Sequence, residues 1–323
     1  MADGTAIEWT DATWNPVTGC QVTSPGCRFC YAMKLAGTRL RNHPSREGLT
    51  VETKNGPVWT GAVRFNEGWL DQPLRWTKPR KIFVCAHADL FYDAVPDEWI
   101  DRAFAVMALA QQHTFQVLTK RPDRMCRYIR AGRRLTLSDG STVSWDKPLA
   151  NVWLGTSVED QQRAEERRLP LYLVHAEGWQ TWVSYEPALG PIYWDGWEFI
   201  RWLVAGGESD MDGVSARPSH PHWHRLARNF CAAHGIAFDF KQWGSWAAAC
   251  QMTDREVDAL FGNGGACKVE EIVLRADGTQ RQSGSSDAFG GYRPVVMFRV
   301  GKKHSGRLLD GRLHDAFPQG GAL

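Results

Sequence analysis

The chain has 323 residues and a formal net charge of +2, with 38 Lys and Arg against 36 Asp and Glu. Its 43% hydrophobic and 23% charged residues are typical of a globular protein, which excludes a disordered chain or a histone-like polycation. No apolar run approaches the roughly 18 to 20 residues that span a bilayer, and the N-terminal residues lack the layout of a signal peptide. The sequence therefore predicts a cytoplasmic protein without membrane association.

Seven short runs of β-branched and aromatic residues predict strands, and each run ends in polar side chains. In chain order they are residues 63–67, 82–89, 115–121, 152–159, 182–187, 202–209 and 237–243. Helix-like stretches lie between several of these runs. The clearest, with apolar residues at helical spacing, are 97–112 and 220–234.

Strands that alternate with helices predict a parallel sheet with helical crossovers. If residues 14–20 supply a first strand, the strand count is eight. The predicted fold class is then α/β, as a (β/α)8 barrel or a partial TIM-like barrel with its chemistry at the carboxyl ends of the strands. A doubly wound sheet is the alternative, although no G-x-G-x-x-G motif follows any strand.

The sequence changes character after Trp246. Gly-rich stretches at 262–265 and 278–291 precede a predicted strand at 294–300, which indicates a small appendage with a hairpin. We therefore predict a barrel domain at 1–246 and a C-terminal appendage at 247–323. Between Arg299 and Arg312 the chain carries five Lys or Arg residues and one acid, a basic tail.

Three cysteines in one loop are the strongest chemical signal. Cys20, Cys27 and Cys30 have the spacing C-x6-C-x2-C among Gly, Pro, Ser and Thr residues, and a close cysteine group in a reducing compartment indicates a metal site. Three thiolates can hold a [4Fe-4S] cluster with one iron open, and S-adenosylmethionine can chelate that iron through its amino and carboxylate groups. Electron transfer to the sulfonium then releases a 5'-deoxyadenosyl radical. Tyr31, next in the chain, can pack beside the cluster or the adenine.

Two other interpretations of this loop stay open. A zinc site could be completed by His43, Cys85 or another residue, since cysteines at C-x2-C also bind zinc. The loop could also be reduced and free of metal, or form a disulfide.

The segments 14–20 and 27–32 carry the form N-P-x-x-G-C followed by C-x-x-C-Y-A. This form resembles the radical S-adenosylmethionine superfamily and, within it, the spore photoproduct lyase-like branch. The whole chain resembles a phage and bacterial three-Cys-motif family that forms a domain of unknown function. Segments carrying this resemblance extend from residue 7 to 318 and include IEWTDATWNPVTGC, ADLFYDAVPDEW, NVWLGTSVEDQ and GKKHSGRLLDGRLHDAFP. The loop departs from the superfamily's usual C-x3-C-x2-C because it is three residues longer.

The resemblance implies a [4Fe-4S] cluster on the three cysteines and S-adenosylmethionine as the second cofactor. It implies that Glu67 binds the methionyl amine, and that Lys120 and Ser157 bind the cofactor carboxylate and nearby groups. A lysine suits that position because a buried carboxylate needs a charge partner, although a surface salt bridge is the other interpretation of Lys120. A flavodoxin- or ferredoxin-type protein would supply the electron.

Further polar residues follow the predicted strands, where a barrel places its chemistry. Glu159 is another candidate for cofactor binding. The candidates for catalysis are Cys85, Asp89, Glu186, Glu208 and Lys241. The acids among them can orient a substrate, but acids at a barrel mouth also pair with Arg for structure. The cysteine can donate a hydrogen atom to a product radical, or it can be an inert core residue.

Three histidines, His220, His222 and His224, invite a metal interpretation. A spacing of two residues does not stack ligands on one helical face, and Pro221 interrupts the series. We therefore predict the start of a helix there. Neither a P-loop nor a G-x-S-x-G motif is present, so a P-loop NTPase and a serine hydrolase are unsupported.

We therefore expect a radical S-adenosylmethionine enzyme acting on a nucleic-acid base, in particular a lyase-type repair of damaged or adducted thymine in DNA. Sixteen tryptophans could stack on bases, although core packing also accounts for them. The basic residues expected to hold DNA phosphates are Lys302, Lys303, Arg307, Arg312, Arg121 and Arg124. Two other classes stay open: a non-catalytic zinc or iron-sulfur nucleic-acid-binding protein of mobile elements, and a radical enzyme with a small-molecule or protein substrate.

Overall fold

The computed structural model describes residues 5, 7–136, 142–145, 147–211, 214–262, 264–284 and 293–318. The strands, in chain order, are β1 (Ala12–Trp14), β2 (Val17–Thr18), β3 (Thr50–Thr53), β4 (Gly56–Trp59), β5 (Arg64–Phe65), β6 (Lys81–Val84), β7 (Thr114–Thr119), β8 (Arg134–Thr136), β9 (Thr142–Ser144), β10 (Val152–Ser157), β11 (Gln180–Tyr185), β12 (Trp202–Gly206), β13 (Ala237–Gln242), β14 (Trp246–Ala248), β15 (Glu271–Leu274), β16 (Gln280–Gln282) and β17 (Val295–Arg299). The helices are α1 (Tyr31–Gly37), α2 (Gln72–Arg75), α3 (Asp97–Leu109), α4 (Pro122–Arg130), α5 (Gln161–Ala176), α6 (Pro221–His234), α7 (Asp254–Ala259) and α8 (Lys302–Ser305).

Seven parallel strands form the central sheet, in the order β1-β6-β7-β10-β11-β12-β13. The sheet curls into a half-barrel, which confirms the predicted partial TIM-like barrel. Helices α3, α4, α5 and α6 lie in the connections between successive strands. Because all seven strands are parallel, their carboxyl ends meet at one edge of the sheet.

Side chains of the central strands alternate between two cores, one against the helices and one inside the half-barrel. The inner core contains Trp153, Trp182 and Trp202, which lie near the amino ends of their strands and pack with Trp9. The ring centroids of Trp182 and Trp202 are 5.0 Å apart. A Cβ at Gly155 would lie 2.5 Å from the Trp182 ring, so the glycine makes room for this layer. The aromatic layer fills the amino side of the half-barrel.

Within the described residues the central sheet has seven strands, which corrects the predicted eight. Residues 63–67 contribute only β5, which pairs antiparallel with β2 outside the central sheet. The first strand of the sheet is β1, at Ala12–Trp14 and not at 14–20. Both residues of β5 are only half-buried, whereas an interior strand of a parallel sheet is covered on both faces.

Both predicted helices are confirmed. The helix α3 begins at Asp97 and ends at Leu109, three residues before the predicted end, and α6 covers Pro221–His234. Within the described ranges, no helix combines the length and the apolar character needed to cross a membrane.

The tryptophans are mainly packing residues. Thirteen of the sixteen are buried, and the remaining Trp69, Trp76 and Trp99 are half-buried. The structure therefore favours the packing explanation over exposed rings that stack on bases. Two of the buried rings, Trp9 and Trp59, also line the cavity described below.

A small antiparallel sheet, in the order β14-β17-β15-β16, lies in the region for which a C-terminal appendage is predicted. Residues 263 and 285–292 of the predicted Gly-rich region lie outside the described ranges. The last described residues leave this sheet and return to the half-barrel, where Phe240 N donates to His314 O at 2.8 Å. Phe317 stacks on Trp153 with ring centroids 4.8 Å apart. The residues that follow the basic tail thus lie against β13 and the aromatic layer.

Candidate functional site

A cavity of about 880 Å³ lies at the carboxyl ends of the parallel strands. One wall is the segment around the three cysteines, and the other walls are residues that follow β6, β7, β10, β11, β12 and β13. This volume is in the range of pockets that hold cofactor-sized molecules. Eleven of the thirteen candidate residues line it: Cys20, Cys27, Cys30, Tyr31, Cys85, Asp89, Lys120, Ser157, Glu186, Glu208 and Lys241.

The cysteine loop, residues 20–30, enters and leaves the cavity wall at fixed points. It follows Gly19, whose φ is +96° and where a Cβ would lie 2.2 Å from the Ala62 carbonyl oxygen, so a side chain does not fit. Gly19 N donates to His87 O at 3.2 Å, in the turn after β6. At the other end, Cys30 is the N-cap residue of α1. All three thiols of the loop are free and line the cavity.

The donor set of the cavity is sulfur. Cys20, Cys27 and Cys30 are three free thiols of one loop, and all three line the cavity. A [4Fe-4S] cluster is held by cysteine thiolates, so the residues present fit that group with one iron left open. Cysteine thiolates are also zinc ligands, and one zinc ion would need a fourth ligand beside these three.

The surroundings of the cysteine loop favour neutral thiols at two of its positions. Burial, with the negative charge of Asp89 as the next cause, raises the pKa of Cys20 to about 12, and burial also raises the pKa of Cys30. These two thiols therefore carry protons at neutral pH, and metal binding would displace them. Beside them, the Tyr31 hydroxyl donates to Ala86 O at 2.6 Å and joins α1 to the turn after β6.

Lys120 follows β7 and lines the cavity beside the cysteine loop. Its Nζ lies 3.7 Å from Glu159 Oε1, and Glu159 is fully buried. Burial is the largest influence and opposes the ammonium charge, but the negative charges of Glu159, Cys27 and Cys30 together outweigh it, and the pKa of Lys120 is raised. The lysine is thus a charged donor within the cavity wall and not a surface salt bridge. Ser157, at the end of β10, lines the same cavity.

Glu159 is held from two sides. It accepts hydrogen bonds from Ser24 Oγ at 2.6 Å and from Arg167 at 2.9 Å. Gly26 passes so close that a Cβ there would lie 2.6 Å from the Glu159 side chain. Glu159 therefore lies behind the cavity wall, where it connects the cysteine loop to α5.

Asp89 is saturated with internal hydrogen bonds. It accepts from Thr119 Oγ1 at 2.7 Å, from Lys120 N at 3.0 Å and from Arg121 at 2.9 Å. Arg121 in turn donates to the carbonyl oxygen of Gln21 in the cysteine loop, at 3.1 Å. Asp89 thus forms the kind of ion pair with Arg that acids at a barrel mouth make for structure, and a contact with substrate stays a prediction.

Glu208, after β12, has a similar arrangement. It accepts from the backbone N of Arg217 at 2.9 Å and from its Nε at 2.8 Å. Arg217 also donates to the Pro25 carbonyl oxygen at 2.9 Å and lies over the Phe29 ring, 5.6 Å from its centroid. Glu208 thus holds an arginine that contacts the cysteine loop.

A second ion pair lines the cavity at the ends of β11 and β13. Glu186 Oε1 lies 3.1 Å from Lys241 Nζ, and Ser184 Oγ lies 3.5 Å from Glu186 Oε2. Burial opposes the charge of Lys241, but Glu186 raises its pKa. Nearby Asp239 is buried, and burial with the charge of Glu186 raises its pKa to about 7. Glu186 and Lys241 have fewer internal partners than Asp89 and are accessible to a ligand in the cavity.

Glu67 lies outside the cavity. Its carboxylate pairs with Arg102, whose NH1 donates to Oε2 at 2.8 Å, and its side chain is 68% exposed. The predicted contact with the methionyl amine is not supported by this position, because β5 is not part of the central sheet. The strand that ends beside the cysteine loop is β6, and His87 and Asp89 follow it.

Cys85 lines the cavity as a buried thiol whose pKa is raised by burial to about 12. Its backbone φ is +57°, an uncommon conformation for a residue with a side chain. The position allows contact with a substrate, and its use as a hydrogen-atom donor stays a prediction.

The three histidines start helix α6, as predicted. His220 is the N-cap residue and its Nδ1 accepts from His222 N at 3.0 Å. His224 is fully buried, with Nε2 3.0 Å from Ser219 Oγ. Burial, with the charge of His220 as a second cause, lowers the pKa of His224 to about 3.

We expect this histidine to destabilise the fold at acidic pH. An unfolded chain protonates His near pH 6.5, whereas folded His224 takes up a proton only near pH 3. The unfolded state therefore binds more protons in this window, and the free energy of unfolding falls as the pH drops below about 6.5. The loss at pH 5 is about 2 kcal/mol. Urea titrations at pH 7.5 and pH 5 measure the loss of unfolding free energy between the two pH values. This loss should be smaller in His224→Gln than in wild type, and an equal loss in both proteins would contradict the prediction.

Two of the basic residues expected to contact DNA are engaged inside the protein. Arg121 pairs with Asp89, and Arg124 donates to Val95 O at 2.6 Å and to Asp97 at 2.9 Å. The tail is different: exposed Lys302 lines the cavity, Lys303 and Arg312 are exposed, and Arg307 is half-buried.

Three residues of the site were missed in the sequence. Ser24, Arg167 and Arg217 connect the acids to the cysteine loop or to neighbouring strands. The only local signal was Ser24 between Cys20 and Cys27, a polar residue inside the motif itself.

The fold and the cavity define an α/β half-barrel protein with three free cysteines at the carboxyl edge of its sheet. Among solved structures, spore photoproduct lyase complexed with dinucleoside spore photoproduct is 11% identical, with a TM-score of 0.36 over 76% of this chain and 69% of that chain. A double mutant of spore photoproduct lyase with bound AdoMet and dinucleoside spore photoproduct is 10% identical, with a TM-score of 0.37 over 77% and 70%. Another mutant is 10% identical, with a TM-score of 0.39 over 64% of this chain, and this chain spans only 58% of its length.

The family described as "Protein of unknown function (DUF5131)" matches residues 4–318, and the chain belongs to this family. No curated protein sequence matches it. The family match confirms the resemblance to a family of unknown function.

Proposed function

We propose that this protein is a radical S-adenosylmethionine enzyme that repairs a damaged or adducted thymine in DNA. The observation that carries the proposal is the cavity in which three free thiols of one loop and the charged Lys120 lie together at the carboxyl edge of a parallel half-barrel. When bound there, a [4Fe-4S] cluster supplies the electron that cleaves S-adenosylmethionine. A flavodoxin- or ferredoxin-type partner is the proposed source of that electron.

The residues around the cavity have separate tasks in this proposal. Cys20, Cys27 and Cys30 hold the cluster. Lys120 binds the carboxylate of the cofactor, because its ammonium is charged and lines the cavity, and Ser157, which lines the same cavity, adds a hydrogen bond. Aromatic and aliphatic walls exclude water from the reacting groups.

The proposed substrate subsite is the wall of Glu186 and Lys241. A net-neutral pair presents a carboxylate acceptor next to an ammonium donor, which suits an amide-type edge with an N–H beside a C=O, as in thymine. A base inside a duplex cannot reach a cavity within a half-barrel, so it must be flipped out, which costs least where stacking is already damaged. Lys302 lines the cavity and can hold a flanking phosphate.

Anaerobically reconstituted protein with a strong reductant should convert S-adenosylmethionine to 5'-deoxyadenosine and methionine. Lys120→Met should keep the absorbance of the cluster and weaken binding of S-adenosylmethionine by about tenfold or more, the effect of losing a charged hydrogen bond. The matched control is Lys268→Met, at an exposed lysine of the appendage. Cluster-loaded protein that forms no deoxyadenosine would favour the nucleic-acid-binding module instead.

The substrate is tested with the same preparation. Lesion-bearing oligonucleotide should bind more tightly than intact duplex at low salt, and incubation with cofactor and reductant should restore thymine. If deoxyadenosine forms while neither DNA binds and no lesion is reversed, the enzyme acts on another substrate.

A further inference from the structure

The cysteine loop has little regular structure of its own. It contains one short 3-10 turn at Pro25–Cys27, in which Cys27 N donates to Ser24 O at 2.9 Å and Arg28 N to Pro25 O at 3.2 Å. Fixing a residue of a loop in one conformation costs roughly 1 to 2 kcal/mol of conformational entropy. The loop therefore depends on contacts from outside to keep its thiols in place.

Three strand ends supply those contacts, each through a charged side chain that has its own counter-ion. The contact after β7 is Arg121 on Gln21 O, the contact after β10 is Glu159 on Ser24 Oγ, and the contact after β12 is Arg217 on Pro25 O. Each of these groups is fixed by an ion pair: Arg121 by Asp89, Glu159 by Arg167 and Arg217 by Glu208. The loop is thus attached at three points between its first two cysteines: the carbonyl oxygens of Gln21 and Pro25 and the side chain of Ser24.

Arg217 is the most informative of the three. Its guanidinium spans two partners, because Nε binds Glu208 while NH2 reaches the Pro25 carbonyl at 2.9 Å and the plane lies over Phe29. Pro25 and Phe29 flank Cys27 and precede Cys30. A single side chain therefore touches the loop on both sides of its second cysteine.

We infer that Arg217 is a positioning residue that holds the cysteine loop in its metal-binding conformation before any metal is present. The inference rests on the proposed function only in naming the loop as the cluster site. It explains how a loop three residues longer than C-x3-C-x2-C can keep its second and third thiols in place, since the added length is bound to the half-barrel and not left free.

The test is alkylation of the metal-free protein, measured by mass spectrometry at individual cysteines. The exposed thiol of Cys250 serves as the reference within each sample. In Arg217→Gln, alkylation of Cys27 and Cys30 relative to Cys250 should be about tenfold faster, the change given by losing one hydrogen bond to a charged group. The matched control is Arg102→Gln, because Arg102 also binds a carboxylate and lies over an aromatic ring, but outside the cavity.

Arg217→Lys separates positioning from simple charge compensation. A lysine can keep the charge beside Glu208 but cannot bind both Glu208 and the Pro25 carbonyl as the planar guanidinium does. We expect Arg217→Lys to unfold at the same urea concentration as wild type and yet to show the faster alkylation. Wild-type alkylation in the lysine variant would overturn the inference, since Glu208 would then need only a positive charge.

Loss of iron gives the second measurement. Clusters reconstituted in both Arg217 variants should bleach faster in a chelator than those in wild type or Arg102→Gln. If wild type takes up no cluster, the proposed function fails while the alkylation result still decides the inference. If Cys27 and Cys30 react at the wild-type rate in both Arg217 variants, the inference is wrong whatever the cluster does.

Discussion

Replacement of any one of Cys20, Cys27 or Cys30 by Ala is expected to reduce bound iron from about four atoms per chain to less than one. The three thiols line one cavity, and a [4Fe-4S] cluster would take each of them on a different iron, so none can substitute for another. Formation of deoxyadenosine should stop in all three variants. The measurements are iron and sulfide content after anaerobic reconstitution, together with the visible absorption spectrum.

Cys250→Ala is the control, because this exposed cysteine lies outside the cavity and its loss should leave iron and spectrum unchanged. If stoichiometric zinc stays bound after anaerobic reconstitution with iron, the prediction of an iron-sulfur cluster is wrong and the loop is a zinc site.

Glu159→Gln is expected to destabilise the metal-free protein by about 3 to 5 kcal/mol. The carboxylate is fully buried and compensates two cationic groups, Arg167 at 2.9 Å and Lys120 at 3.7 Å. Removing the charge while keeping the volume leaves the buried Arg167 without its counter-ion and takes from Lys120, at the cavity wall, its charge partner. Urea denaturation should place the midpoint well below that of wild type.

Glu177→Gln is the control for this prediction. Glu177 pairs with Arg130 where both side chains are about half exposed, so the change should cost less than about 1 kcal/mol. If the two substitutions lower the free energy of unfolding equally, Glu159 does not stabilise the charges of Lys120 and Arg167.

The sequence located most of the cavity because the relevant pattern is local. An apolar run followed by a polar residue marks the carboxyl end of a parallel strand, and the residues found by that pattern that line the cavity include Lys120, Ser157, Glu186 and Lys241. Glu67 shows the limit of the pattern. The run before Glu67 is apolar enough for a strand. However, this strand pairs with the earlier segment Val17–Thr18 and not with the central sheet, and the run itself does not indicate its pairing partner.

The roles of the acids could not be predicted for a similar reason. Asp89 and Glu208 lie after strand ends, and each forms an ion pair with an arginine that contacts the cysteine loop. Arg217 and Pro25 are 192 positions apart. Nothing within a sequence window connects such residues, and only the folded chain shows which acids have partners.

The aromatic layer inside the half-barrel has a consequence for biosynthesis. Trp9 comes from the beginning of the chain and Phe317 from its end, and both pack on Trp202, with ring centroids 5.7 and 5.0 Å away. Contacts between such distant positions form slowly, because the intervening chain must be ordered first. A ribosome-bound chain that has not yet exposed Phe317 therefore leaves the inner face of its sheet incompletely covered. Chaperone capture should be strongest for nascent chains that stop just short of this residue.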